Sequence, residues 1–403
     1  MNQSFNIKEL RRVCKQEEYI KFGLSVSGLE TQLNSVCENI SNESFDFEIK
    51  QVGSFFLSES LSDKLILRKL NDNIKRIYKD EQANRKVIIS QIKILLESTC
   101  PYWIIKTDIK SFYESIKADR LITKFRDESM LSYYSIFLLN KLFSSDALLS
   151  STGVPKGMNI SATLSEIYMR KFDKWIRNYT GVFYYARFVD DIVVFSNSLQ
   201  ETLNLLQELD VKLGELADGL AVNVNKTQLF NGLTLEQLDG ASGTSVRDGS
   251  CFEYLGYKFT KIQERRIINL KTNIADKKVK KIKTRIALSF MDFMKSRDFE
   301  LLNKRIRFLT GNYGIKKSTK GNTLKAGIYF NYSHLTDVDQ LKQLTDYYRK
   351  ILYCKKGKLG IALTRLSLEE RKKLKKYCFV EGFDKKTYNP FSYLQMAEIV
   401  KCW

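Results

Sequence analysis

The segment Phe183–Phe195, FYYARFVDDIVVF, constrains this chain more than any other, because two aromatic and β-branched runs meet at the adjacent acids Asp190 and Asp191. Runs of this kind predict a β-hairpin with the acids at its tip. Two neighbouring carboxylates among apolar strand residues are costly unless they reach water or a cation. A plain polar turn would also place Asp there, since Asp is an ordinary turn residue. A second feature bears on the choice. Asp108 follows the apolar run Tyr102–Ile105, so it too is expected at a strand end. One carboxylate from one strand and two from a neighbouring hairpin make a compact anionic cluster suited to hard divalent cations.

The charge balance points the same way. The 403 residues carry 66 Lys and Arg against 46 Asp and Glu, a net charge of +20. A lysine-rich surface can serve solubility alone, but here the charge is clustered. Residues 265–325 hold 18 basic and 4 acidic side chains. Clustering of this kind predicts a polyanionic partner. The seven cysteines include no CxxC pair and no zinc-site spacing, so reduced thiols are expected. The first thirty residues lack a signal-peptide core and no apolar run is long enough to span a bilayer. The expected location is cytoplasmic, without membrane contact.

Along the chain, residues 1–65 read as mostly helical, with a polar break at Asn39–Glu48. Residues 66–98 are basic and helical or hairpin-like. A helical stretch runs to about Phe143, and a Gly-Pro-Gly loop precedes a helix over 153–178. A helix near 199–217, a short strand at 220–224 and a second hairpin at 252–260 follow. From about 273 the pattern is helical almost to the end. Ile274, Ile282, Ile286 and Leu288 among the lysines predict an amphipathic helix over 274–290. Ser318–Lys325 reads as a basic loop. The sole histidine, His334, has no metal-ligand companion, and the aromatic-rich residues 379–403 read as a packed tail or an oligomer contact.

Five ordered segments carry a family resemblance. TDIKSFYESI (107–116), GVPKGMNISATLSEIYM (153–169), ARFVDDIVVFS (186–196), GLAVNVNKT (219–227) and YLGYKF (254–259) resemble consecutive motifs of reverse transcriptases. The resemblance covers about 66–260. It implies an α+β right-hand polymerase fold of fingers, palm and thumb, with a mostly helical C-terminal region. The implied division is an N-terminal helical extension at 1–65, fingers and palm at 66–263, and a basic helical thumb and C-terminal region at 264–403.

The implied activity is RNA-directed DNA polymerisation, adding dNTPs to a growing 3′ end with two Mg²⁺ (or Mn²⁺) ions about 4 Å apart. Carried over residue by residue, the metal ligands are Asp108, Asp190 and Asp191, with the backbone carbonyl of Ile109. Tyr113 stands where the family packs an aromatic under the incoming sugar, which excludes a 2′-hydroxyl. Pro155, Lys156 and Gly157 lie in the loop that meets nucleotide and template, with Lys156 where Gln is usual. Phe188 replaces the commoner Tyr. Lys226 matches the lysine of the fourth palm motif, either protonating pyrophosphate or holding the palm. Tyr254, Leu255 and Gly256 resemble the primer grip. Arg68, Lys69, Arg76 and Arg85 are the triphosphate candidates, with Arg76 and Arg85 preferred. Lys277, Lys278, Lys280 and Lys281 are expected on the duplex backbone.

Within the family, NRKVII (84–89), TDIKSFYESI and the NKRIRFLTGNYGI…GIYFNY region (303–332) look like bacterial defence-associated reverse transcriptases. The likeness is to the smaller enzyme of a two-reverse-transcriptase antiphage system. That implies a noncoding or template RNA, a DNA product, a homo- or hetero-oligomer and a second reverse transcriptase subunit as partners. A retron-like or intron-derived enzyme stays open as an alternative. A non-catalytic RNA-binding scaffold is the other, and the three intact acids count against it. No HNH-like Cys/His cluster occurs, and the residues after the expected thumb are too few for an RNase H domain.

Overall fold

The computed structural model describes residues 2–15, 18–19, 22–23, 25–79, 82–149, 153–245, 250–264, 267–316 and 323–403. Strands and helices mix in the expected α+β manner, and the C-terminal part is mostly helical. Contacts divide the chain into two compact units. One comprises residues 1–92 and 98–249, the other 93–97 and 250–403.

In the first unit, the helices Ile7–Val13 and Val26–Ser41 precede a hairpin of β1 (Ile49–Val52) and β2 (Phe55–Ser58). The hairpin was not expected from sequence, where its polar residues read as part of a helical region. The helices Leu61–Tyr78 and Arg85–Leu96 follow. Next comes a five-stranded antiparallel sheet made from β3 (Trp103–Asp108), β4 (Val182–Phe188), β5 (Asp191–Ser196), β6 (Gln228–Asn231) and β7 (Gln237–Leu238), in the order β4-β5-β3-β6-β7. The short strand expected at 220–224 is reduced to a single bridge between Ile109 and Val222, followed by a helical turn at Val224–Lys226.

The two central strands are apolar on both faces. Ile104, Ile105 and Ile192 through Phe195 are all buried. An unbroken apolar run, unlike an alternating one, requires cover on both sides. One face belongs to the main core, where Ile105, Ile192, Val194 and Leu229 meet the helices Asn159–Arg177 and Leu199–Leu216. On the other face, Phe195 packs among Tyr102, Phe183 and Tyr184 at ring distances of 5.6–6.2 Å. Burying a side chain of this size stabilises by about 2–3 kcal/mol.

The N-terminal helices share that core through Leu10, Leu29, Leu33 and Val36. Charges fasten them as well. Lys69, which is fully buried, donates to Glu9 Oε2 at 2.9 Å and to the Asn2 carbonyl at 3.0 Å. Arg68 donates to the Val13 carbonyl at 3.0 Å and to Glu18 at 2.7 Å. These two basic residues are therefore committed to the N-terminal segment, which corrects their listing as triphosphate candidates. The basic character of the Leu61–Tyr78 helix was legible, but not that its partners lie 50 or more residues upstream.

The second unit holds a three-stranded sheet, β8 (Cys251–Tyr254), β9 (Tyr257–Glu264) and β10 (Ile267–Ile274). The expected hairpin at 252–260 is present, and β10 extends it. Its turn places Leu255 at φ 44° and Gly256 at φ 84°, both in the left-handed region that tight hairpin turns demand. The helix Asp276–Ser296 then buries Ile286, Ser289, Phe290 and Phe293. Ile274, expected on this helix, instead ends β10. Lys277, Lys278, Lys280 and Lys281 lie on its exposed side. A hairpin of β11 (Asn312–Lys316) and β12 (Thr323–Gly327) interrupts the helical pattern expected here. The expected loop at 318–325 lies outside the described residues up to 322, and the remainder begins β12. The C-terminal residues pack within this unit, with Trp403 donating to Ser289 Oγ at 3.1 Å and Arg305 to the Ile399 carbonyl at 3.2 Å. No helix among the described residues is long and apolar enough to cross a membrane.

The Lys69 pair yields a stability prediction. Removing Lys69 breaks a buried pair, empties a fully buried position and leaves Glu9 with Arg12 alone, at about 3 kcal/mol. Lys69→Ala is expected to lower the melting temperature by several degrees. Lys50→Ala, which breaks the exposed pair with Glu59, is expected to leave it unchanged. Thermal unfolding of both variants checks the contrast.

Candidate active site

Pairing of β3 with β5 sets Asp108 directly opposite Asp191. Pairing of β4 with β5 sets Phe188 opposite Asp191, leaving Val189 and Asp190 as the turn. The three acids foreseen in sequence are thus brought together at one end of the central strands. The turn is fastened to β3, since the Ile109 N–H donates to the Asp190 carbonyl at 3.1 Å. Asn223 N–H donates to the Asp108 carbonyl at 2.8 Å and Lys110 N–H to the Ala221 carbonyl at 2.9 Å. Neither of these two bonds uses the Ile109 carbonyl.

Like charges directly opposite one another destabilise a sheet. Burial, and secondarily the charge of Asp108, raises the Asp190 carboxyl above its ordinary range. Asp191 is pushed up to about 6, by burial first and Asp190 next. Lys226 answers part of this repulsion by donating to Asp108 Oδ2. It also faces the charges of Asp190 and Asp191. Asp108 Oδ1 is buried and has no hydrogen-bond partner. As the side chains stand, no group of three or more His, Cys, Asp or Glu among the described residues is gathered tightly enough to hold a metal. The donor set nevertheless fits a hard divalent cation: all oxygen, anionic, with one buried oxygen unpaired and another held by an ammonium.

Around the acids, Tyr113 is half-buried and packs on Phe112 with ring centroids 5.3 Å apart. The loop carrying Pro155, Lys156 and Gly157 lies against it, as the Val154 N–H donates to the Tyr113 carbonyl at 2.8 Å. A Cβ at Gly153 would sit 2.4 Å from that carbonyl, so only glycine permits the approach. Lys156 extends between Glu114, at 3.7 Å, and the Phe55 ring, 5.7 Å from its centroid. Its carbonyl accepts from the Phe56 N–H at 2.8 Å.

Arg76 pairs with Asp72 one turn earlier at 3.2 Å, and Arg85 opens the Arg85–Leu96 helix. Tyr254, Leu255, Gly256 and the four lysines belong to the second unit. Sequence reasoning missed Arg187, which is buried and donates to both Glu166 and Asp173 on the Asn159–Arg177 helix. The signal was a lone charge inside an aromatic strand, with two acids seven residues apart on the helix before it.

Relieving the crowded acids should strengthen the metal-free protein. Asp190→Asn is expected to raise stability in EDTA by about 1 kcal/mol, the usual trade of activity for stability. The parent chain is expected to gain melting temperature with Mg²⁺, and Asp190→Asn to lose that gain. Thermal melts with EDTA and with Mg²⁺ check both.

Comparison with known proteins agrees with the geometry. Residues 60–259 match the family described as reverse transcriptase (RNA-dependent DNA polymerase). Among solved structures, apo telomerase from Candida tropicalis truncated from the C-terminal domain is similar at 16% identity. The match covers 52% of this chain and 45% of that one, with a TM-score of 0.35. Telomerase from Candida albicans, in complex with a TWJ fragment of telomeric RNA, is similar at 13% identity. Here 75% of this chain and 56% of that one are covered, with a TM-score of 0.34. The chain thus spans about half the length of each. No curated protein matches the sequence. Residues 60–259, which hold the three acids, Lys226 and the 153–157 loop, thus resemble a reverse-transcriptase domain.

Proposed function

We propose that this chain copies an RNA template into DNA at the sheet end formed by Asp108, Asp190 and Asp191. The observation that carries the reading is the pairing of Asp108 with Asp191 beside the Asp190 turn, with Asp108 Oδ1 buried and unpaired. Asp108, Asp190 and Asp191, with the Ile109 carbonyl, would hold two Mg²⁺ ions, which when bound neutralise phosphate charge and favour the attacking 3′-oxygen.

The chain's own residues account for the rest. The close fit of Gly153 against Tyr113 fixes the 153–157 loop beside the acids. Tyr113 forms the wall that meets the sugar of an incoming nucleotide. Lys226, already paired to Asp108, brings a positive charge to the phosphate end. Arg76 and Arg85 add phosphate contacts, and Phe188 stacks on the primer end. In the second unit, the Tyr254–Gly256 turn grips the primer. Lys277, Lys278, Lys280 and Lys281 meet the duplex backbone through salt-sensitive contacts.

The motif likenesses support a role in bacterial antiphage defence. The chain would work there in the cytoplasm with a noncoding RNA, in a homo- or hetero-oligomer that includes a second reverse transcriptase subunit.

Primer extension on an RNA template tests the core of the reading. Asp190→Asn and Asp108→Asn are expected to abolish dNTP incorporation while the proteins stay folded. Full incorporation by Asp190→Asn would overturn the assignment.

Sugar selection tests Tyr113 separately. Tyr113→Ala is expected to raise ribonucleotide use relative to deoxynucleotide use by tenfold or more, because the wall beneath C2′ is gone. An unchanged ratio in single-nucleotide assays would make Tyr113 a core residue only.

A further inference from the structure

The turn that carries Asp190 is strained. Val189 has a φ of 62°, a conformation that a β-branched residue adopts only at a cost. Strain of this kind is worth about 1–3 kcal/mol and persists only where the surroundings impose it. Two bonds impose it here, one on each carbonyl of the turn. The Ile109 N–H donates to Asp190 O at 3.1 Å, and Arg187 Nη1 donates to Val189 O at 2.9 Å.

Arg187 is built for this contact. A guanidinium has five N–H donors in a rigid fork, and all five are engaged. Nε and Nη2 meet the two oxygens of Asp173 at 2.9 and 2.8 Å. Nη2 and Nη1 meet the two oxygens of Glu166 at 2.7 and 3.3 Å. The remaining Nη1 donor goes to Val189. Tyr185 in turn donates to Asp173 Oδ1 at 2.5 Å. The two acids stand two turns apart on one face of the Asn159–Arg177 helix. The fork therefore ties that helix to the catalytic turn. Packing alone does not require this arrangement, since well-fitted apolar side chains usually replace a buried ion network without loss of stability.

We propose that Arg187 is a positioning residue, which holds Val189 in its strained conformation and so sets where the Asp190 carboxylate stands relative to Asp108. The proposal rests on the reading of Asp190 as a metal ligand. It assigns Arg187, Glu166 and Asp173 a role in divalent-cation affinity, though none of the three needs to touch the cation.

The test uses the full chain, with Mg²⁺ as the probe and two readouts. One is the Mg²⁺ concentration for half-maximal incorporation. The other is the Mg²⁺ midpoint of thermal stabilisation, which needs no turnover. Arg187→Lys keeps the charge and loses the fork, and is expected to raise both midpoints about tenfold with the dNTP KM unchanged. Val189→Gly relaxes the turn, because glycine adopts positive φ freely. Added to Arg187→Lys, it is expected to return both midpoints at least halfway to the parent values. Glu166→Gln keeps the Asp173 fork but weakens the hold on Nη1, the nitrogen that reaches Val189, so it is expected to shift them the same way by a smaller factor, and it serves if Arg187→Lys does not fold. Unchanged midpoints in a folded Arg187→Lys protein, or in Glu166→Gln where the former is lost, would overturn the proposal. The two failures separate cleanly. If Asp190→Asn still extends primers, the functional reading falls. If Asp190→Asn is dead while the Arg187 and Glu166 variants keep the parent midpoints, only the positioning role falls.

Discussion

Three carboxylates meet at one end of a buried sheet, and the cost of that meeting organises much of the first unit. Asp108 and Asp191 face each other across the central strands, and Asp190 stands in the adjoining turn. Opposed like charges resist the pairing. The apolar residues behind them, Ile104, Ile105 and Ile192 through Phe195, supply the compensating burial. Because those residues are apolar on both faces, alternation cannot define the register. A one-residue slip would exchange one apolar face for another. The register is specified instead by polar contacts near the acid end. These are the Ile109 bond to Asp190 and the Thr107 hydroxyl 2.7 Å from that of Thr227. The acids destabilise the sheet locally, and the bonds that place them also define how the strands align.

The parts legible in the sequence were those encoded by local pattern. The strand ending at Asp108, the hairpin around Asp190 and Asp191, the helix after the Gly-Pro-Gly loop and the turn at Leu255–Gly256 are each set by residues within about ten positions. The unread parts depend on distant partners. Lys69 and Arg68 read as triphosphate candidates, because Glu9 and Glu18 lie 60 and 50 residues away. Arg187 drew no reading at all, because its partners Glu166 and Asp173 are on the preceding helix. The β1–β2 and β11–β12 hairpins were lost for another reason. Each strand has only four or five residues, and both hairpins expose apolar side chains, such as Phe55 and Leu57 in one and Ile315 and Leu324 in the other. Period-two alternation in so short a segment is weak against a helical background.

The unforeseen N-terminal hairpin changes how the 153–157 loop is understood. From the motif, that loop is expected to meet nucleotide and template, and its glycines would serve that approach. In the structure their first use is approach to protein backbone. Gly153 fits against the Tyr113 carbonyl, and Gly157, at φ 102°, lies beside Phe56. The loop is thereby clamped from two sides: by the Phe112–Ser115 turn that follows the first acid, and by β2 through the Phe56 bond to Lys156. The N-terminal hairpin therefore reaches the 153–157 loop through backbone contact. The N-terminal helices are held by the buried Lys69–Glu9 pair on the same Leu61–Tyr78 helix that opens the family match. A loop placed by protein contacts before any ligand arrives loses little further freedom on binding. The N-terminal segment thus belongs to the physical definition of this loop's surroundings.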